Sequence, residues 1–400
     1  LSGAIIKFLR LDSFCLFPVE IMKDQQINVL YLTNNPNRGS TSRPTEGWLT
    51  YLYPHKLRPV VASDRSGSFQ QWIGERGIPS YEIPLPNPDK LRPLPFLLSL
   101  WKLRALIKRH DIQLIHCIEQ NVYPIGKYLS RLTSVPIVVT AQYTLGREFS
   151  EWAFAGKPKP SRLFFVSEGN REASRLAVRG LVSEKSWRLL YNSVDPNDFS
   201  PDHSLGQNFR KEHGIVDDVL IGTASALRPR KQLEHMFQAA LNVKQSSITK
   251  FKFVLAGSEV SGDEAYASDL LASAKEMLGE HLIVLGHLED LRGLYNALDL
   301  YLHTSQEEGC SLSILEAMSV GCPVLGYKSI GADEQVLPGG GEIVEQDNID
   351  LLSEALKRWI SSESLRSKTR SLARQRVLDK FNSEKVSEIL FSEYQSVLDS

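Results

Sequence analysis

Two carboxylates eight residues apart, Glu308 and Glu316, bracket a run whose residue types could hold a polyol beside an anion. An apolar stretch ending at His303 gives way to a loop containing Gly309, and a helical pattern starts near Ser311 and stops at Gly321. An ionised carboxylate accepts several hydroxyl hydrogens at once. The first N–H groups of a helix lack partners within it and favour negative charge. Gly309, Cys310, Ser311 and Leu312 at the junction, with Glu308 before the helix and Glu316 within it, therefore suit a nucleotide sugar. The 225–233 segment adds Arg228, Arg230 and Lys231 after another strand-like run, positive charge that could meet such an anion. The plain alternative for Arg228 and Arg230 is a solvated basic loop. His116 ends a further strand pattern and is followed by Glu119; it titrates near neutrality, although a lone histidine at a strand end is commonly structural.

The elements that must position these residues follow a simple alternation. Strands are expected at 28–33, 58–62, 113–118, 136–140, 162–166 and 187–191, with helices such as 95–109 and 122–132 between them. A second series has strands at 219–224, 252–256, 282–285, 300–303, 323–326 and 342–344. Strands alternating with helices spell two parallel α/β lobes, whose ligands bind at the carboxyl ends of the strands. The polar, proline-bearing stretch 192–201 reads as a linker, and 382–398 as an amphipathic helix. The expected organisation is a leader at 1–21 from a mis-assigned start, lobe one at 22–195, lobe two at 196–380 and a terminal helix at 381–400.

Composition narrows the classes. Apolar residues are 42% and charged residues 23% of the 400, as in an ordinary globular protein, which excludes disordered and fibrous readings. The four cysteines never form a CxxC pair, so neither a disulfide framework nor a zinc knuckle is suggested and a cytoplasmic setting is the default. No D-x-D loop or spaced histidine set points to a metal, and no motif for nucleic acid accompanies the basic residues. Residues 1–200 hold 26 Lys and Arg against 17 Asp and Glu, whereas 201–400 hold 20 against 30, so a half at +9 adjoins one at −10. The 90–109 segment mixes Phe, Leu and Trp with Lys and Arg; it fits a peripheral helix at an anionic membrane's inner face or a crossover helix packed on its sheet.

The 302–324 segment resembles the E-x7-E signature of the retaining glycosyltransferases of family 4, with Glu308 and Glu316 as the motif glutamates. The linker Tyr191-Asn192-Ser193-Val194-Asp195-Pro196 through Pro201 resembles the family's NGVD junction, with Ser193 in place of Gly. Phe165 to Asn170 and Gly331-Ala332-Asp333-Glu334 are similar to two more family segments. The resemblance implies the GT-B fold: two Rossmann-like parallel-sheet lobes facing each other across a cleft, with a C-terminal helix crossing back to lobe one. It also implies metal-independent transfer, without a cofactor, of a hexose-type unit from a nucleotide sugar to a glycan or lipid-linked acceptor.

Residue by residue, the resemblance gives Glu316 the ribose hydroxyls, Glu308 the donor sugar and Lys231 the diphosphate, with Gly286 and Leu288 near the donor pocket. The family arginine is replaced by Ala226, a charge that Arg228 or Arg230 would have to supply. Asn35, Gly39 and Ser40 fall in the loop that approaches the acceptor, and Gln142 replaces a family histidine; with His116 and Glu119 they form the expected acceptor side. Two rival readings are a non-catalytic nucleotide-sugar binder, which Ala226 and Gln142 would suit, and a nucleotide-sugar epimerase on the same architecture.

Overall fold

Seven parallel strands form one sheet and six form another in this computed structural model, which describes residues 26–400 except 40, 90, 247 and 249. The expected 1–21 leader and Ser40 lie outside the described residues. In lobe one, β1 (Ile27–Thr33), β2 (Leu57–Ser63), β3 (Ser80–Glu82), β4 (Leu114–Cys117), β5 (Ile137–Ala141), β6 (Arg162–Phe165) and β7 (Trp187–Leu189) run in the order β3-β2-β1-β4-β5-β6-β7. In lobe two, β8 (Val219–Ala224), β9 (Phe251–Ala256), β10 (Leu282–Gly286), β11 (Leu300–His303), β12 (Val324–Tyr327) and β13 (Gly341–Val344) run in the order β10-β9-β8-β11-β12-β13. The sequence pattern misses β3, a three-residue edge strand without an apolar run.

Alternation along the central strands explains why both faces of each sheet are covered. Leu30 and Leu32 of β1 enter the core on one face, while Ile27, Val29 and Tyr31 enter the core on the other. The same alternation places Tyr301 of β11 on one side of its sheet and Leu300 and Leu302 on the other.

The strand order reverses between β1 and β4 in lobe one and between β8 and β11 in lobe two. Loops leaving such a pair diverge and open a crevice at the strand ends. The loops after β1, β8 and β11 all contribute to the cleft between the lobes.

The helix Ser383–Leu398 belongs to lobe one's packing although it follows lobe two in the chain. Its Val386, Leu390, Tyr394 and Val397 join the core of Tyr31, Trp48 and Leu52. The chain passes between lobes twice, and the passages are stitched by a parallel bridge between Val194 and Asn382 and by the Val194 N–H to Phe381 carbonyl bond of 3.0 Å.

Candidate functional site

The cleft has a volume of about 710 Å3 and is walled by both lobes. On the lobe-two side, β8 ends in the loop that carries Ala226, Arg230 and Lys231, and β11 ends in the loop that carries Glu308. Lys231 donates a hydrogen bond to Glu308, and Arg230 lies 3.7 Å from the same carboxylate. Burial by itself would raise Glu308, but Lys231, His303 and Arg230 outweigh it and hold the carboxyl below its ordinary value. His303 is buried with its Nε2 unpartnered and is pushed down to about 4, so it is neutral at physiological pH.

Ser311 precedes the helix Leu312–Ser319. Its own N–H is taken by Gln335, 2.8 Å away, and the Gln335 amide in turn donates to the Ser311 carbonyl at 2.8 Å, which fixes the loop–helix corner. Gly309 is required there because a Cβ would stand 2.9 Å from the Gln142 carbonyl of lobe one and 3.1 Å from Val166. Glu316, one turn into the helix, is buried; it accepts the Tyr295 hydroxyl at 3.0 Å and an ion pair from Arg43 of lobe one.

On the lobe-one side, the loop after β1 is strapped down by Arg38, whose guanidinium grips Glu46 at 2.9 and 2.7 Å. Gly39 donates to the Ser42 hydroxyl at 2.9 Å, and Asn35 donates to Thr41 at 2.8 Å. An adjoining pocket of about 620 Å3 is lined by Asn34–Asn37, Thr41, Arg65, Glu119, Asn121 and Tyr143. Glu119 is buried at its edge; burial pushes its carboxyl up to about 7 against the opposing bonds from Asn34, Thr33 and Asn35.

Most of the residues expected from sequence therefore come together. Arg230, Lys231, Leu288, Glu308, Gly309, Cys310, Ser311, Leu312, Glu316, Gly39 and Gln142 line the cleft, with Asn35 and Glu119 in the adjoining pocket.

Three stand elsewhere. Arg228 turns to Asp263, 2.7 Å away, and is not in the cleft wall. Gly286 itself does not line the cleft, although its neighbours His287 and Leu288 do. His116 faces away: it shares its side of β4 with Leu114, stacks on Trp48 and bonds Tyr394 at 2.5 Å and Thr140 at 2.8 Å. Burial pushes it down to about 3, the mark of a neutral core histidine under the terminal helix.

The cleft residues that carry no motif of their own include Arg43, Tyr143 and Tyr295. Asn192 had a signal, the NSVD junction, and its amide donates to the Cys310 carbonyl at 3.0 Å. Glu334 of the later family segment lies at the seam between lobes, where it accepts the Glu168 N–H at 2.8 Å and receives Tyr191 and Lys380.

Two facing parallel-sheet lobes with a cleft at their switch points define the GT-B architecture, and the proteins that the chain resembles are glycosyltransferases. Residues 207–376, within lobe two and the start of the return crossing, match the family described as glycosyl transferases group 1. The chain is 24% identical over 313 residues to the UDP-Gal:alpha-D-GlcNAc-diphosphoundecaprenol alpha-1,3-galactosyltransferase of Escherichia coli, an alignment covering 74% of this chain and 78% of that protein. It is 22% identical over 307 residues to the lipopolysaccharide core biosynthesis mannosyltransferase LpcC of Rhizobium leguminosarum bv. viciae, covering 76% and 82%. The structure of Anabaena HepE in complex with UDP and glucose superposes with a TM-score of 0.82 at 20% identity, over 93% of this chain and 100% of that one.

Proposed function

We propose that the protein is a retaining, metal-independent family 4 glycosyltransferase that moves a hexose-type unit from a nucleotide sugar to a hydroxyl of a glycan or lipid-linked acceptor. The observation that carries this reading is the Lys231–Arg230–Glu308 cluster in the cleft wall, two lysine and arginine cations at the place where a diphosphate would develop charge. Glu316 takes the ribose hydroxyls, Glu308 the donor sugar, and the pocket beside Asn35 and Glu119 the acceptor. The acceptor oxygen forms the new bond to the anomeric carbon while the bond to phosphate breaks; its electron pair leaves with the diphosphate, which also takes the acceptor proton. The two cations supply the neutralising charge that a metal ion supplies in other sites. The curated relatives named for UDP-galactose, mannosyl transfer and a diphosphoundecaprenol acceptor support these substrate classes.

The test is thermal-shift screening with UDP-, GDP-, ADP- and dTDP-sugars, followed by nucleotide release with and without added acceptor glycolipid, in EDTA. Acceptor-dependent release and an unchanged anomeric configuration in the product's NMR spectrum are expected. Stabilisation by a donor without acceptor-dependent release would favour the non-catalytic binder, the reading that Ala226 in the cleft wall suits.

The same reading holds the protein peripherally at an anionic membrane. The helix Pro93–Arg109 packs Phe96, Leu100, Leu103, Leu106 and Ile107 against lobe one, yet leaves Leu94, Leu97, Leu98 and Trp101 exposed by 64, 55, 51 and 69% beside exposed Lys102 and Arg104. Apolar anchors flanked by cations fit a bilayer interface. Flotation with vesicles containing phosphatidylglycerol, lost in Trp101→Glu, is expected; equal flotation of both proteins would remove this surface from the reading. No helix among the described residues is long and apolar enough to cross a membrane.

A further inference from the structure

Arg43 belongs to lobe one, yet its guanidinium is paired with a carboxylate of lobe two, 273 residues along the chain. It is placed by local structure. The helix Ser42–Leu52 begins at the end of the loop after β1, the Arg43 N–H bonds the Gly39 carbonyl at 3.0 Å, and the Arg38–Glu46 pair ties that loop to the helix. Among the described residues it makes the ion pair that crosses the cleft between the two sheets. Its partner Glu316 has a side chain only 5% exposed and touches one other polar group, the Tyr295 hydroxyl.

We propose that Arg43 is a positioning residue for the nucleoside end of the donor: lobe one supplies it to orient the Glu316 carboxylate across the cleft, so that the oxygen lone pairs left over face the ribose diol. This rests on the reading of Glu316 as the ribose carboxylate and adds the group that makes it competent. A carboxylate offers about four acceptor sites; Arg43 and Tyr295 use one on each oxygen, which leaves one on each for two neighbouring hydroxyls.

A carboxylate this buried is costly to keep charged without a cation. Burial raises Glu316, and Arg43 and the Tyr295 hydroxyl oppose that rise, while Asp198 adds to it. The other cleft cations are engaged elsewhere, Arg38 with Glu46 and both Arg230 and Lys231 with Glu308. Without Arg43 the Tyr295 hydroxyl alone would oppose the rise that burial imposes on Glu316, and a carboxyl that takes up a proton gives up part of its capacity to accept.

Calorimetric titration of the full chain with UDP, GDP, ADP and dTDP, carried forward with whichever diphosphate binds tightest, tests this. Glu316→Gln and Arg43→Met should each weaken binding about 10-fold or more, as expected for hydrogen bonds to a charged group. The double variant should be no more than about twofold weaker than either single one, because the two residues act as a unit. Binding to Arg43→Met should strengthen as the pH rises and Glu316 ionises, more steeply than binding to the wild type, while Arg43→Lys retains most of the affinity. Wild-type affinity in Arg43→Met, or a loss that adds to that of Glu316→Gln and ignores pH, would overturn the inference. Wild-type affinity in Glu316→Gln would instead overturn the reading of Glu316 itself.

A ligand-free measurement stands beside it. The melting temperature of Arg43→Met should fall from pH 5 to pH 8 relative to Arg43→Met/Glu316→Gln, because a carboxyl raised by folding stabilises only while protonated. A constant difference would sink the proposal even if no diphosphate bound.

Discussion

At both switch points a carboxylate from the second strand's loop meets the loop of the first strand, but the two carboxylates live in opposite electrostatic surroundings. In lobe one, Glu119 after β4 accepts the Asn34 N–H at 2.6 Å and the Thr33 hydroxyl at 2.9 Å, and among the described residues no cation is paired to it. In lobe two, Glu308 after β11 receives Lys231 and Arg230 from the loop after β8. Dipoles compensate burial only partly, so Glu119 rises to about 7; full charges compensate it completely, so Glu308 falls below its ordinary value. The same topology thus yields a lobe-two site with fixed charge, suited to a diphosphate, and a lobe-one site whose charge changes near neutrality, suited to hydroxyl groups.

The largest effect should come from breaking the charged side. Lys231→Met leaves Glu308 buried without its nearest cation, and the acceptor-dependent rate of nucleotide release should drop about 10²–10³-fold, the usual loss on removing one group that stabilises developing charge. A rate within a factor of two of wild type would mean that the fixed charge of lobe two has no part in the reaction.

Next comes the titrating side. Glu119 is raised by folding from its ordinary 4.5 to about 7, so its contribution to stability is full below the ordinary value and is lost as the pH climbs to about 7. That loss is about 3 kcal/mol. Urea unfolding at pH 5 and pH 8 should show wild type losing stability across this window, whereas Glu119→Gln, which keeps the acceptor oxygen, should not. Parallel behaviour of the two proteins would erase the contrast between the lobes.

The smallest effect sharpens the boundary of the charged site. Arg228 pairs with Asp263 at a side-chain exposure of 41%, outside the cleft wall. Arg228→Ala should cost less than about 1 kcal/mol in a denaturation midpoint, as partly exposed pairs do, and leave turnover within twofold. A hundredfold loss of rate would place Arg228 in the charged cluster after all.

How much of this was legible in the sequence differs by the range of the interaction. The Glu308–Glu316 segment was readable because strand end, loop and helix start lie within fifteen residues and obey local rules. The alternating strands were readable for the same reason, whereas β3 has too few residues to show a period. His116 was misplaced toward the cleft because alternation fixes which neighbours share its face, but nothing local says that Tyr394 will cover that face. Arg43 was invisible because its meaning lies wholly in a partner on the other lobe. Arg228 and Arg230 differ by two positions, and only the conformation of the Pro229–Lys231 turn decides that one meets Asp263 and the other Glu308.

The terminal helix has a consequence for how the chain comes to be folded during synthesis. Tyr31, Trp48 and His116 are made early, yet the surface that buries them includes Tyr394. Lobe two can close its own core while the first sheet still waits with one flank open to water. At roughly 5–20 residues per second, that interval is on the order of ten seconds or longer. The half made first is therefore the half finished last, and its uncovered aromatic flank is the surface that a nascent-chain chaperone would meet.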